Sequence, residues 1–249
     1  MTLPYPLLLQ KSARNALQLS LKGHIVIIDE AHNLMDTIAS LNSASISLVQ
    51  LQTAREQVTQ YLQKFKNRLR GKNRIYVAQL LRVLDSLTGY LTTILRNEKK
   101  DEDKAEINRL LAGKGVDQIN LYRLMKYLQD SKLARKLDGY TLHISEASGS
   151  MPAVNGIANN GTKKLSALPV LIQVQSFLQT LTFPAEEGQF FYSKSTESER
   201  SDCVLRYLLL DPTQQFREIV QEARSIVLAG GTMSPVRHTT TLLYGVSEY

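Results

Sequence analysis

The run His24-Ile25-Val26-Ile27-Ile28 constrains this chain more than any other stretch. It is continuous, apolar, mostly β-branched and preceded by Gly23, which predicts a strand buried on both faces of a parallel sheet. It ends abruptly in Asp29-Glu30-Ala31-His32. Open α/β sheets place their ligand crevice at the carboxyl edge of such strands, so two carboxylates and a histidine there form the first candidate site. Tyr5 to Ser20 reads as a helix covering that sheet, and Asn33 to Leu41 as a short helix leaving it.

The character then changes. From Ser47 to Arg70 the residues Leu51, Ala54, Val58, Tyr61, Phe65 and Leu69 recur at spacings of three and four, with Ser47 and Gln50 placed as a capping box. A second amphipathic helix is expected from about Arg74 to Arg96, with Val77, Leu80, Leu84, Leu87, Leu91 and Ile94 as its buried stripe. The two should pack antiparallel across Gly71-Lys72-Asn73. Glu98 to Lys104 reads as a charged loop, followed by shorter helices at about 103 to 112 and 118 to 136. Residues 145 to 167, rich in Ser, Gly, Asn and Ala, read as a loop without assigned structure. Leu168 to Leu181 resumes as helix, and Gln189 to Ser193 as a strand.

The α/β signature then returns. Val204 to Leu210 reads as a strand, Pro212 opens a helix to about Ala223, and Ser225 to Ala229 is a second buried strand running into Gly230-Gly231-Thr232-Met233-Ser234-Pro235. There is no internal repeat. The expected fold class is therefore α/β: a parallel-sheet domain made by residues 1–42 and 201–249, interrupted by a mainly helical insertion over 43–200.

Charge follows the same division. Residues 1–42 hold three basic and three acidic side chains, residues 43–140 hold 19 and 10, and residues 141–249 hold 8 and 10. Such segregation suits a polyanion lying against the insertion, because each neutralised phosphate releases condensed counterions; a solvated helical surface is the alternative. Lys64, Lys66, Arg68, Arg70, Lys72 and Arg74 concentrate it, six cations within eleven residues and no acid among them. On a helix they would spread around the cylinder, so three or four could face one strand of DNA; the competing reading is cations gathered at a helix C-terminus.

Composition narrows the rest. One cysteine, Cys203, excludes an intramolecular disulfide and any four-thiolate zinc or iron-sulfur site built from this chain alone, and an intracellular compartment is expected. No apolar run approaches the ~18–20 residues of a membrane span, and Pro4 to Leu9 lacks the length and flanks of a signal peptide, so no membrane partner is expected. Cys203 reads as a small buried hydrophobe. His24, His143 and His238 have no ligand spacing with one another. Asn160-Gly161-Thr162 is a glycosylation acceptor made idle by the compartment. Tyr61, Phe65, Tyr76 and Tyr90 read as interhelical core rather than a base-stacking platform.

In nucleotide hydrolases of the phosphate-loop class, an Asp after such a strand holds Mg²⁺, usually through water, while a neighbouring carboxylate orients or deprotonates the attacking water. Asp29 and Glu30 fit those two roles. Acids placed at a helix N-terminus for its dipole are the structural alternative.

At this point the chain resembles the DEAH-box superfamily 2 DNA helicases that carry an iron-sulfur cluster, the family typified by the xeroderma pigmentosum group D protein. Ile25 to Leu34 is similar to motif II of that family, Leu228 to Pro235 to motif III, and Leu3-Pro4-Tyr5 to the Pro-Tyr segment after the cluster domain. Gly230 stands where most members have Ser, which resembles the chromosome-loss (ChlR) subgroup; Ile119 to Tyr122 and Arg135 to Tyr140 are similar to stretches of that subgroup's insertion. The resemblance implies a motor domain over 1–42 and 201–249, and an arch domain over 43–200 that borders a channel for single-stranded DNA. It implies an ATP-driven 5′ to 3′ DNA helicase, nuclear, acting on single-stranded or forked DNA in sister-chromatid cohesion and repair, with cohesin and replication-fork proteins as partners. ATP and Mg²⁺ are its cofactors, with an iron-sulfur cluster in the full-length family member. Asp29 would hold Mg²⁺, Glu30 act as base, His32 link the nucleotide site to motif III, and Gly230, Gly231 and Thr232 couple hydrolysis to strand movement.

No Gly-x-x-x-x-Gly-Lys-Ser/Thr occurs in these 249 residues, since Gly71-Lys72 and Gly113-Lys114 lack both the upstream Gly and the following hydroxyl residue. The four cluster cysteines and a second motor domain are missing as well. The expectation is a fragment or truncated product with negligible ATP hydrolysis alone, and the runner-up is a non-catalytic module whose basic arch binds DNA or protein.

Overall fold

The computed structural model describes residues 1–69, 71–97, 100–113, 115–148, 169–183, 188–195 and 202–230; the side chains of 141–148 and of residues 195 and 214 fall outside that description. The chain divides into two compact units, one of residues 1–43, 184–189 and 208–249, the other of residues 44–183 and 190–207.

In the first unit, β1 (Ile25–Ile28) and β6 (Ser225–Leu228) pair in parallel, with Ile25 opposite Ser225 and Ile28 opposite Leu228. Some two hundred residues separate them in sequence. The expected helix over 5–20 is instead two short ones, α1 (Tyr5–Leu9) and α2 (Lys11–Ala16), because Gln10 is extended at φ −82°, ψ 115°. The buried Arg14 guanidinium holds the break together. Its Nη1 donates to the carbonyls of Leu8 at 2.6 Å and Leu9 at 3.1 Å, and Nη2 lies 3.9 Å from Glu218 on α10 (Thr213–Glu222). A 3-10 turn (Ala31–Asn33) leads into α3 (Leu34–Asn42), whose Leu34 and Ile38 are buried.

The expectation that β1 and β6 are buried on both faces is corrected. Ile28 is 2% exposed, but Ile25 and Ile27 are 59% and 71% exposed, and Val227 46%. Alternate strand residues face opposite sides, and among the described residues only two strands make up this sheet.

The second unit is mainly helical, as expected, and it also carries a sheet. Its four-stranded sheet has the order β2 (Ala44–Ser47), β5 (Asp202–Leu209), β4 (Gly188–Ser195), β3 (Glu102–Ala105), with β2 antiparallel to β5 and β3 antiparallel to β4. Two of these strands departed from expectation. β3 lies where a charged loop and the start of a helix were read, its four polar and small residues held by pairing with Phe190 to Ser193 rather than by apolar alternation. β5 was read beside the motor elements, yet it joins this antiparallel sheet. Its inward residues Cys203, Leu205 and Tyr207 are buried, and burial pushes the Cys203 thiol from 9.0 up to about 11.

Two long helices hold this unit. α4 (Leu48–Lys64) opens with the expected reciprocal cap: Ser47 Oγ accepts from Gln50 N at 3.2 Å, and Gln50 Oε1 accepts from Ser47 N at 2.9 Å. α5 (Lys72–Asn97) packs beside it, tied by the Arg55–Asp85 ion pair. Every residue of the anticipated α5 stripe is buried, and Val83 joins it. Fully burying one such side chain is worth about 1.5–3 kcal/mol, so this stripe is the main source of the unit's stability. α6 (Ile107–Leu110) is a single turn. The helix read over 118–136 is two, α7 (Leu121–Ser131) and α8 (Leu133–Ser148), parted by Lys132 in the left-handed region at φ 50°; α8 also runs into what was read as the start of a loop. α9 (Val170–Thr180) packs on α4. Residues 149–168, including the Asn160 acceptor, lie outside the described residues, as do His238 and the side chain of His143. No helix among the described residues is long and apolar enough to cross a membrane.

In urea unfolding of the 249-residue chain, Leu84→Ala should cost about 2–5 kcal/mol, the usual range for truncating a fully buried Leu. Ile27→Thr, at an exposed position, should stay within about 0.5 kcal/mol of wild type.

Candidate functional site

The acids sit where the sequence places them, at the carboxyl end of β1. Two backbone hydrogen bonds carry the β1–β6 pairing past the strand ends: Ala229 N donates to Ile28 O, and Ala31 N donates to Ala229 O, both at 2.8 Å. The loop bearing Asp29 and Glu30 is thereby fastened to the segment that enters Gly230. Gly230 is exposed at that edge, whereas Gly231 and Thr232 lie outside the described residues.

Glu30 adopts φ 49°, ψ 43°, the left-handed region that an L side chain enters at a cost of about 1–2 kcal/mol. Neighbouring bonds hold it there. Glu30 N donates to Asp29 Oδ1 at 3.0 Å, Asn33 N donates to Glu30 O at 3.0 Å, and Ala31 is clamped to Ala229. The bend turns both carboxylates outward: Asp29 and Glu30 are exposed, and His32 Nδ1 lies 3.2 Å from Glu30 Oε2. The His32 ring thus lies against the Glu30 carboxylate.

Tyr5 joins this cluster, a feature for which periodicity gave no signal and the Leu3-Pro4-Tyr5 resemblance only a hint. Its hydroxyl donates to the backbone carbonyl of Asp29. Burial first, then the charges of Asp29 and Glu30, raise its pKa above the usual value.

Among the described residues no group of three or more His, Cys, Asp or Glu side chains could hold a metal by itself. The arrangement suits Mg²⁺ of the other kind, bound by one carboxylate with its remaining coordination filled by water and phosphate oxygens. Asp29 offers that single carboxylate, and the exposed Glu30 carboxylate follows it in sequence.

The basic run has a different geometry from the one expected. α4 ends at Lys64, six residues earlier than read, so Lys66 and Arg68 lie in a turn, and Lys72 and Arg74 open α5. The argument that a helix would spread these cations around a cylinder therefore fails, because a turn follows no such periodicity. Lys64, Lys66, Arg68, Lys72 and Arg74 are all exposed, and none meets an acid within 4.0 Å among the described residues; Arg70 lies outside them.

The aromatic set divides. Tyr61, Phe65 and Tyr76 are half-buried near this turn, while Tyr90 lines a cleft of about 890 Å³ together with Arg82, Lys104, Glu106, Arg109 and Tyr192.

Residues 1–51 match the DEAD_2 family model. The ATP-dependent DNA helicase chl1 of Aspergillus niger is 52% identical over 235 residues, covering 94% of this chain and 25% of that protein. The chl1 helicase of Schizosaccharomyces pombe is 44% identical over 250 residues, covering 98% of this chain and 29% of that protein. A solved structure titled XPD_APO aligns with a TM-score of 0.46 at 18% identity, covering 98% of this chain and 37% of that one.

Because Glu30 sits at a left-handed position, Glu30→Gly should leave the chain at least as stable as wild type, and Glu30→Val, whose β-branched side chain suits that region less than Glu does, should be less stable than wild type in urea unfolding. The chain spans about a quarter of the length of the curated relatives it matches, and by sequence it is similar to a segment of the chl1 helicases.

Proposed function

We propose that this chain is the part of an ATP-dependent DNA helicase that carries the Mg²⁺-holding and water-activating acids of the first motor domain, together with an inserted arch. The motor takes residues 1–43 and 208–249, and the arch takes residues 44–183 and 190–207. Asp29 holds Mg²⁺, Glu30 is the base, His32 positions Glu30, and Gly230 to Thr232 couple hydrolysis to movement along DNA. One observation carries this reading: the acid-bearing loop and the strand entering Gly230 are hydrogen-bonded neighbours despite their separation in sequence. The names of the similar proteins, ATP-dependent DNA helicases, point the same way.

By the same resemblance the helicase moves 5′ to 3′ on single-stranded or forked DNA, in the nucleus, in sister-chromatid cohesion and repair, with cohesin and fork proteins as partners. Its iron-sulfur cluster would draw no ligand from this chain, whose one cysteine, Cys203, is buried in the second unit. The exposed cations Lys64, Lys66, Arg68, Lys72 and Arg74 meet DNA phosphates.

These readings separate experimentally. A chimera in which residues 1–249 replace the matching quarter of the Aspergillus niger helicase should hydrolyse Mg-ATP in a DNA-stimulated manner. Glu30→Gln should then lower kcat by about 10²–10⁴-fold while ATP still binds, the range for losing a general base. A chimera that binds DNA and never turns over ATP would support a non-catalytic binding module instead. Separately, Lys66→Gln with Arg74→Gln should weaken single-strand binding by the 249-residue chain and reduce the slope of log K against log salt by about 1.4, near 0.7 per lost phosphate contact.

A further inference from the structure

At the turn end of the α4–α5 pair the character of the core changes. Farther along α5 the interior is aliphatic and closed, with Val77, Leu80, Leu84, Leu87 and Leu91 all fully buried. At the turn end the packing is aromatic and half-open. Tyr61 and Phe65 lie 4.7 Å apart between ring centroids, and each meets Tyr140 of α8 edge-on at 6.4 and 5.8 Å. Tyr76 of α5 stacks on Tyr127 of α7 at 4.6 Å with 15° between the planes. Both groups draw on the turn end of the α4–α5 pair, Tyr61 and Phe65 from the end of α4 and Tyr76 from the start of α5, and together make one band. All five rings are half-buried.

A purely structural cluster has no need of open rings, and aliphatic side chains would seal the same helices with less polar surface to satisfy. The charge around this band is one-sided too. From Gln57 to Leu84 the sequence contains no acid, and Lys64 Nζ lies 5.5 Å over the Tyr140 ring. The segment that supplies Tyr127 and Tyr140 adds exposed Lys126, Lys132, Arg135 and Lys136, against Asp130 and Asp138. Flat π-faces bordered by cations match the two halves of a nucleotide, base and phosphate, and a sequence-tolerant single-strand site combines these two elements.

We propose that Tyr61, Phe65, Tyr76, Tyr127 and Tyr140 form a base-stacking platform for single-stranded nucleic acid, alongside Lys64, Lys66, Arg68, Lys72 and Arg74, which hold its phosphates. The proposal deepens the reading of those cations as a DNA contact and rests on it. It also reverses the sequence-based expectation that Tyr61, Phe65 and Tyr76 serve only as interhelical core.

The test measures binding of the 249-residue chain to two oligonucleotides of equal length and charge, an oligothymidine of ~20 nucleotides and the same strand with abasic sites throughout its centre. Stacking worth about tenfold or more in affinity should favour the base-bearing strand. Tyr76→Leu with Tyr127→Leu should abolish that preference and leave the salt slope unchanged. The Tyr→Phe pair should keep the preference, and 2-aminopurine in the strand should be quenched by wild type and the Phe pair only. Circular dichroism verifies the fold, and if the Leu pair unfolds, the comparison of the two strands on wild-type protein decides alone. Equal binding of the two strands with a normal salt slope overturns the platform and leaves the phosphate contacts standing. Displacement of the oligothymidine by polyglutamate of equal charge overturns the platform as well. Absence of any salt-dependent binding overturns both.

Discussion

The parallel pairing of β1 with β6 is the constraint on which the candidate site depends. Four residues on each side are in register, and two further hydrogen bonds extend the pairing into the loops that follow. With Ala31 fixed to Ala229, the chain must turn away within two residues of the strand end, and Glu30 accepts a left-handed conformation to do so. Strain of this kind persists only where the surroundings over-determine it, and it recurs at sites whose side-chain direction matters. Here it directs a carboxylate outward, and His32 meets that carboxylate from the next turn.

A chain can leave such a sheet for well over a hundred residues because loop-closure entropy grows only logarithmically, about 0.6 kcal/mol for each doubling of length. The excursion also folds on itself. The strand that enters the second unit, β2, and the strand that returns from it, β5, are hydrogen-bonded partners, with Ala44 opposite Tyr207 and Ser47 opposite Val204. Entry and exit thus lie side by side. The α4–α5 stripe and the inward face of the sheet, with Phe190, Leu205 and Tyr207, supply the unit's own core.

Much of this was legible before any coordinates. The 3.6-residue periodicity located α4 and α5 and named the α5 stripe residue by residue, because packing against a partner helix selects apolar side chains at that spacing. The Ser47–Gln50 cap was readable because both partners lie within one turn. What misled was information that does not reside in local pattern. Glu102 to Ala105 carries no strand signature and is extended only because β4 offers it a partner. Gln10 interrupts a helical pattern because Arg14 reaches back to the Leu8 and Leu9 carbonyls. The end of α4 at Lys64 could not be fixed from composition, since Lys, Phe and Arg suit a helix as readily as a turn.

The sequence by itself determined which acids stand at the end of the first strand, and the helical cores. An apolar β-branched run ending in Asp-Glu-Ala-His, and stripes of aliphatic residues, follow from side-chain chemistry and spacing alone. Tertiary structure decided the neighbours: that Ile28 lies beside Leu228, that Tyr5 reaches the Asp29 carbonyl, and that Tyr76 stacks on Tyr127. Those pairings join residues from about 24 to 200 positions apart, and contacts at such separations are selected by the packing of whole elements, which no local pattern records.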